Sequence, residues 1–182
     1  VAEISRHGGK VVLTTTRGRV RADKVVMATN AWSHFFPNLR TKQVPVWTHI
    51  VLTEPIPGEP FETIGWQNRQ GIEDARNLVH YYRLTADNRL LMGGRDVSVT
   101  ASGDDMNQDL SPPTFAGLKE DVRQLFPALE DIRFTHEWGG PVSVPLDMAP
   151  ALGYLGDKNM VYSLGCVGHG VSLTHLNGKT LS

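Results

Sequence analysis

Hydrophobic positions along the chain fall mostly in short β-branched runs bounded by turn residues, and helical spacing appears in only two places. Residues 11–16 (VVLTTT) are followed by the turn signal Arg17-Gly18 and an extended stretch at 19–21, which predicts a hairpin. Val25, Val26, Met27 and Ala28 then form a continuous apolar run, as expected of a strand covered on both faces. The run stops at Thr29, Asn30 and Ala31, small residues that permit close approach; in an open α/β sheet such a strand end faces a ligand crevice. Pro37 and Asn38 break the chain. Residues 43–53 (QVPVWTHIVLT) read as a long strand, with Pro55, Pro57 and Pro60 stiffening the connection behind it. Residues 77–84 and 89–92 predict an antiparallel hairpin around Ala86-Asp87-Asn88, and residues 97–107 a polar surface loop.

Ser111-Pro112-Pro113 marks a helix start. Beyond it Leu118, Val122, Leu125 and Phe126 share one face, Lys119, Glu120, Asp121 and Arg123 point away, and Pro127 ends the helix. Residues 132–138 predict a strand, after which Gly139-Gly140-Pro141 opens a proline-punctuated connection to Pro150. A strand at 160–164, a glycine loop at 165–170 and a terminal helix close the chain. This order predicts an α+β fold in which residues 1–40 and 139–182 join as one discontinuous domain and residues 41–138 form an inserted antiparallel-sheet domain.

Composition narrows the function classes. At about 150 residues per domain, 182 residues make little more than one. Eighteen Lys and Arg against nineteen Asp and Glu leave a net charge of −1, with no basic excess to collect nucleic-acid phosphates. Cys166 is the only cysteine, so no intrachain disulfide or thiolate zinc site forms, and a reducing, cytoplasmic setting is the default. No apolar run reaches the roughly 20 residues of a membrane helix. The opening at Val1 inside a β-like pattern and the stop at Ser182 inside a helical one lead us to expect a piece of a longer protein.

The strongest local chemistry is GCVGHGVSLT, residues 165–174. Gly165, Gly168 and Gly170 stand between a strand and a helix, where bare backbone N–H groups and the helix start can face an anion or a polarised ring; a plain glycine-rich connection has the same pattern. Neither Gly-Lys-Ser/Thr nor Gly-x-Gly-x-x-Gly occurs there, so the loop is neither a Walker loop nor the dinucleotide fingerprint. His169 can exchange a proton beside a cofactor or simply hold the loop through backbone hydrogen bonds. It lies about 240° around a helix from His175, and no metal site is expected. Tyr82 can line a substrate pocket with Tyr81 and Arg83 on the opposite face, or the reverse. An arginine there would grip a carboxylate through two hydrogen bonds. The four tryptophans read as core. The pairs Glu73-Asp74, Asp104-Asp105, Glu120-Asp121 and Glu130-Asp131 read as solvated surface. Ser163 and Ser172 lack a nucleophile elbow, and Cys166, with no cationic neighbour in sequence, reads as a packing residue.

Taken in order, VVLTTTRGRVRADKVVMATNAW, HYYRLTADNRLLMGGR and NMVYSLGCVGHGVSLTHLNGK resemble the FAD-dependent amine and amino-acid oxidoreductases of the D-amino-acid oxidase superfamily, in particular its glycine oxidase, sarcosine oxidase and γ-glutamylputrescine oxidoreductase types. The resemblance spans essentially the whole chain. It implies that the discontinuous domain is a partial FAD/NAD(P)-binding domain, without the Gly-x-Gly-x-x-Gly segment, and that the inserted sheet is a substrate domain roofing the flavin. Ala28, Thr29, Asn30 and Trp32 would pass near the cofactor. Gly165, Gly168, His169, Gly170, Val171 and Ser172 would lie against the pyrimidine end of the ring, and Tyr82 and Arg83 would meet the substrate. No cysteine stands near Gly139-Gly140, where sarcosine oxidases attach their flavin, so the FAD is expected to be noncovalent. The implied activity is hydride transfer from a small-molecule amine or amino acid to FAD, giving an imine, with electrons passing to oxygen or another acceptor. No catalytic acid or base is assigned, and the fragment alone is expected to be inactive. A non-catalytic binding or assembly module and a flavin dehydrogenase of a hydroxy acid are the alternatives.

Overall fold

Turn chemistry sets the first pairing. In the computed structural model, which describes residues 1–99 and 106–182, β1 (Glu3–His7), β2 (Lys10–Thr15) and β3 (Gly18–Ala22) form a three-stranded antiparallel sheet. Thr15 pairs with Gly18, so the turn is Thr16-Arg17, one residue earlier than the sequence signal. β1 was not anticipated, because EISRH has too few apolar residues to announce a strand. β4 (Val25–Met27) follows, then a 3-10 turn at Asn30–Phe35 and α1 (Pro37–Arg40), which accepts Pro37 in its first turn, where no N–H is needed.

The chain divides into two compact units. The first comprises Val1–Pro45 with Val142–Ser182, and the second Val46–Pro141. β5 (Val44–Pro55) carries the chain from one to the other. In the second unit the proline-rich connection contains α2 (Gly58–Ile64), followed by β6 (Ile72–Glu73), β7 (His80–Leu84), β8 (Arg89–Gly94) and β9 (Ser98–Val99). The pairing of β9 with Val46 and Trp47 corrects part of the expected 97–107 loop; Asp104-Asp105 lies outside the described residues.

Alternation along β5 buries Trp47, His49, Val51 and Thr53 on one face. Leu84, Leu90 and Met92 join Val51 in a core closed by Phe115, Leu118 and Val122 of α3 (Pro112–Leu125). Each such apolar side chain contributes about 1.5–3 kcal/mol on burial. Leu125, expected on this face, is exposed, because the chain leaves helical geometry at Phe126, whose ring turns inward to stack on Trp66 at 5.9 Å. Trp47 and Trp66 are core residues, whereas Trp32 and Trp138 are exposed.

Two acidic pairs also depart from the surface reading. The Asp121 side chain is only 13% exposed and accepts hydrogen bonds from His80 Nε2 at 2.8 Å and from Arg95 Nη1 at 2.5 Å. Asp74 accepts from the backbone N–H of His80 at 3.0 Å and lies 3.2 Å from its ring Nδ1. A buried imidazole between two carboxylates explains why neither pair is simply solvated.

β10 (Phe134–Val144) runs straight through Gly139-Gly140-Pro141, where the sequence suggested a break. The sheet order β10-β5-β8-β7-β6 makes it an edge strand, and an edge tolerates a residue without an N–H. Back in the first unit, β11 (Ala151–Tyr154) pairs antiparallel with β12 (Met160–Leu164), and β12 pairs in parallel with β4 through Met160↔Val25 to Tyr162↔Met27. α4 (Gly170–Leu181) follows. Val25, Met27, Met160, Tyr162 and Leu164 share a core with Val11 and Leu39. Val26 is 53% exposed, so β4 is covered on one face, not two as its apolar run implied.

Candidate functional site

The open face of β4 is one wall of a cavity of about 820 Å³ in the first unit. Pleating turns Val26 and Ser163 of the parallel pair into it, opposite the core residues. α4 supplies the next wall through Gly170, Thr174, Asn177, Gly178 and Leu181, a spacing that keeps one helical face toward the cavity. Asn177 is fixed there by donating its side-chain N–H to Ser163 Oγ at 3.1 Å. Val142 closes a side. The remaining lining comes from just beyond the carboxyl ends of β4 (Ala28, Asn30) and β12 (Gly165, Cys166, Gly168), the place where open α/β sheets receive ligands.

Six of the residues singled out from sequence therefore meet: Ala28, Asn30, Gly165, Gly168, Gly170 and Val171. The other four of the group do not line the cavity. Thr29 Oγ1 is bonded to Ser33 Oγ at 2.7 Å, and Trp32 is exposed. His169 donates its Nδ1–H to the Val167 carbonyl at 3.0 Å, and Ser172 Oγ donates to the His169 carbonyl at 3.2 Å; both hold the loop and the first turn of α4. Val26, Val142 and the lower half of α4 were not foreseen, although the four-and-three spacing from Gly170 to Leu181 was available as a signal.

Tyr82 and Arg83 belong to the second unit and point to opposite faces of β7. Tyr82 meets Trp66 and Phe126 edge-on at 5.8 Å each, in the core. Arg83 is exposed on the other face together with Tyr81, whose ring lies across Gly93 and whose hydroxyl is bonded to Thr48. Burial raises the Tyr81 phenol above its usual pKa of 10.0 despite that bond.

Among the described residues, no Lys, Arg, His, Asp or Glu lines the cavity. Beside the side chains of Ser163, Thr174 and Asn177, it offers backbone amides: Gly170 and Val171 open the first turn of a twelve-residue helix and have no intrahelical acceptor. The helix start adds about half a positive charge. Gly168 has a φ of +81°, and a Cβ there would project into space free of other atoms within 4 Å. Apolar walls, a bare backbone and amides along one edge fit a flat neutral ring with a polar rim, such as the isoalloxazine of FAD.

The whole chain, residues 1–182, matches the family model described as FAD dependent oxidoreductase, and the chain belongs to that family. It is 32% identical over 179 residues to γ-glutamylputrescine oxidoreductase of Escherichia coli, covering 97% of this chain and 40% of that protein. Among solved structures, it resembles glycine oxidase from Bacillus cereus with a TM-score of 0.78 at 20% identity, covering 100% of this chain and 47% of that one. It also resembles L-proline dehydrogenase from P. horikoshii, with a TM-score of 0.74 at 20% identity, covering 100% and 47%. These two likenesses establish the fold alone. The chain spans about 40% of the length of the curated relatives it matches. No helix among the described residues is long and apolar enough to cross a membrane.

Proposed function

We propose that the first unit holds the isoalloxazine of a noncovalently bound FAD in the cavity and that the protein oxidises a small amine or amino acid. The carrying observation is the charge-free cavity at the adjacent ends of β4 and β12, with the start of α4 at its rim. FAD, when bound, supplies the ring that accepts a hydride from the carbon next to the amine, leaving an imine for water to hydrolyse, and later yields electrons to oxygen or another acceptor. The amides of Gly170 and Val171 would face the pyrimidine edge of the ring and stabilise negative charge there. Val26, Val142 and Val171 would supply apolar contact to the ring.

The sheet of the second unit serves substrate binding in this reading, with Tyr81 and Arg83 in place of Tyr82, because Tyr82 is committed to the core. Arg83 would hold a carboxylate through paired N–H donors. The relative at 32% identity, named γ-glutamylputrescine oxidoreductase, supports an amine as the substrate class. The test is anaerobic mixing of the FAD-loaded full-length protein with amines, amino acids and hydroxy acids, followed by flavin absorbance. Bleaching by amines or amino acids is expected. Bleaching by hydroxy acids alone reassigns the substrate, and a protein that takes up no FAD is the assembly module instead.

A further inference from the structure

Ser143 is fully buried, and all of its polar groups are engaged inside the first unit. Its backbone N–H donates to Asn30 Oδ1 at 3.3 Å, and its carbonyl accepts from the Val167 N–H at 3.2 Å. Its hydroxyl accepts from the Gly165 N–H at 2.9 Å and donates to Gln43 Oε1. Gln43, also buried, donates its side-chain N–H to the Ala31 carbonyl at 2.8 Å. Three stretches remote from the end of β10 thus converge on its serine: Asn30-Ala31, Gln43, and residues 165–167. A hydroxyl is the smallest group that can accept on one side and donate on the other. Removing it strands both the Gly165 N–H and Gln43 Oε1 in a dry site.

Backbone geometry shows what the convergence restrains. Asn30 and Val167 have φ values of +45° and +46°, left-handed conformations that are unfavourable outside glycine and most so for a β-branched residue. Such conformations persist where surrounding bonds over-determine them. Each is bonded to Ser143, Asn30 through its side chain and Val167 through its backbone N–H. Gly165, at φ +80°, admits no side chain, because a Cβ there would stand 2.5 Å from Pro145 Cγ.

We propose that Ser143, supported by Gln43, is a positioning residue for the flavin. It does not line the cavity; it locks the segments after β4 and β12 at the separation that aims the α4 amides at the ring. The role rests on the flavin reading above.

The test compares the parent with Ser143→Ala, Gln43→Leu and the double variant. In FAD-loaded protein, each single change should raise the FAD dissociation constant about tenfold or more, and the double variant should exceed the stronger single by little, because the pair acts as a unit. The flavin that remains bound should show a shifted visible absorption band and a shifted reduction potential, which a loss of global stability alone would not produce. In flavin-free protein, hydrogen exchange at the Gly165 and Val167 amides should accelerate about tenfold in Ser143→Ala, while the β5–β8 amides of the second unit stay unchanged. Where Ser143→Ala does not fold, Gln43→Leu carries the same readouts. Unchanged affinity, spectrum and Gly165 exchange would overturn the role of Ser143. A parent protein that binds no FAD overturns the flavin reading and takes this role with it.

Discussion

Gly168→Val separates the cost of a strained backbone from the cost of a filled cavity. At φ +81° any side chain meets a left-handed penalty of about 1–2 kcal/mol. Nothing lies within 4 Å of the projected Cβ, so the flavin-free protein should suffer no collision beyond that penalty. At about 2–4 °C per kcal/mol for a chain of this size, its melting temperature should fall by roughly 2–8 °C. The added methyl groups occupy the space assigned to the ring, and FAD affinity should fall about 100-fold, equivalent to about 2.7 kcal/mol. Gly168→Ala carries a similar backbone penalty with less volume and should fall between the two, so the Ala–Val difference isolates occupancy of the cavity. The assay is FAD titration of the flavin-free variants, alongside calorimetric melting with and without FAD. Full flavin occupancy in Gly168→Val, with affinity within about threefold of the parent, would refute the placement of the ring at this loop.

Other outcomes test the rest of the molecule. Asp121→Ala leaves the buried His80 with Asp74 alone and removes one acceptor from Arg95, and should remove about 2 kcal/mol of stability, read as a lower urea midpoint at unchanged slope. Burial pulls the Asp121 pKa upward, but hydrogen bonds from Arg95 and His80 outweigh it and hold the carboxyl below its usual 3.8. The unfolded chain therefore binds the proton first on acidification. The stabilisation is present above about pH 4 and is lost as pH falls through the lower folded value; Asp121→Asn should flatten that acid limb in urea titrations. Arg83→Ala, at an exposed site, should change stability by less than about 0.5 kcal/mol. It should raise KM about tenfold for carboxylate-bearing substrates while leaving neutral amines unaffected in steady-state assays. The late-titrating phenol in an alkaline absorbance titration should disappear in Tyr81→Phe.

Features governed by neighbours in sequence were legible, and those governed by distant partners were not. The β7–β8 hairpin follows from Asp87-Asn88 because turn geometry is local. The strand, glycine loop and helix at 160–181 were readable for the same reason, and with them most of the loop residues at the cavity. Asp121 looked solvated because its partners, His80 and Arg95, lie 41 and 26 residues away. Val26 looked doubly covered because an apolar run does not say which of its faces finds a partner. Gly139-Gly140-Pro141 looked like a break because edge position is a property of the sheet, invisible in the three residues themselves. Ser143 carried no signal at all: a serine in a strand becomes a junction only when three remote segments meet it.

The parallel pairing of β4 with β12 also imposes an order on biosynthesis. Val25 leaves the ribosome about 135 residues before Met160, its register partner, so β4 waits for β12 while the whole of Val46–Pro141 is made. That insert has its own core and can condense during the wait. A condensed insert shortens the effective loop that β12 must close, lowering the entropic barrier to the last pairing. Slowing translation just after residue 141 should therefore raise the yield of native protein, whereas mutations that loosen the insert should trap nascent chains with β4 exposed.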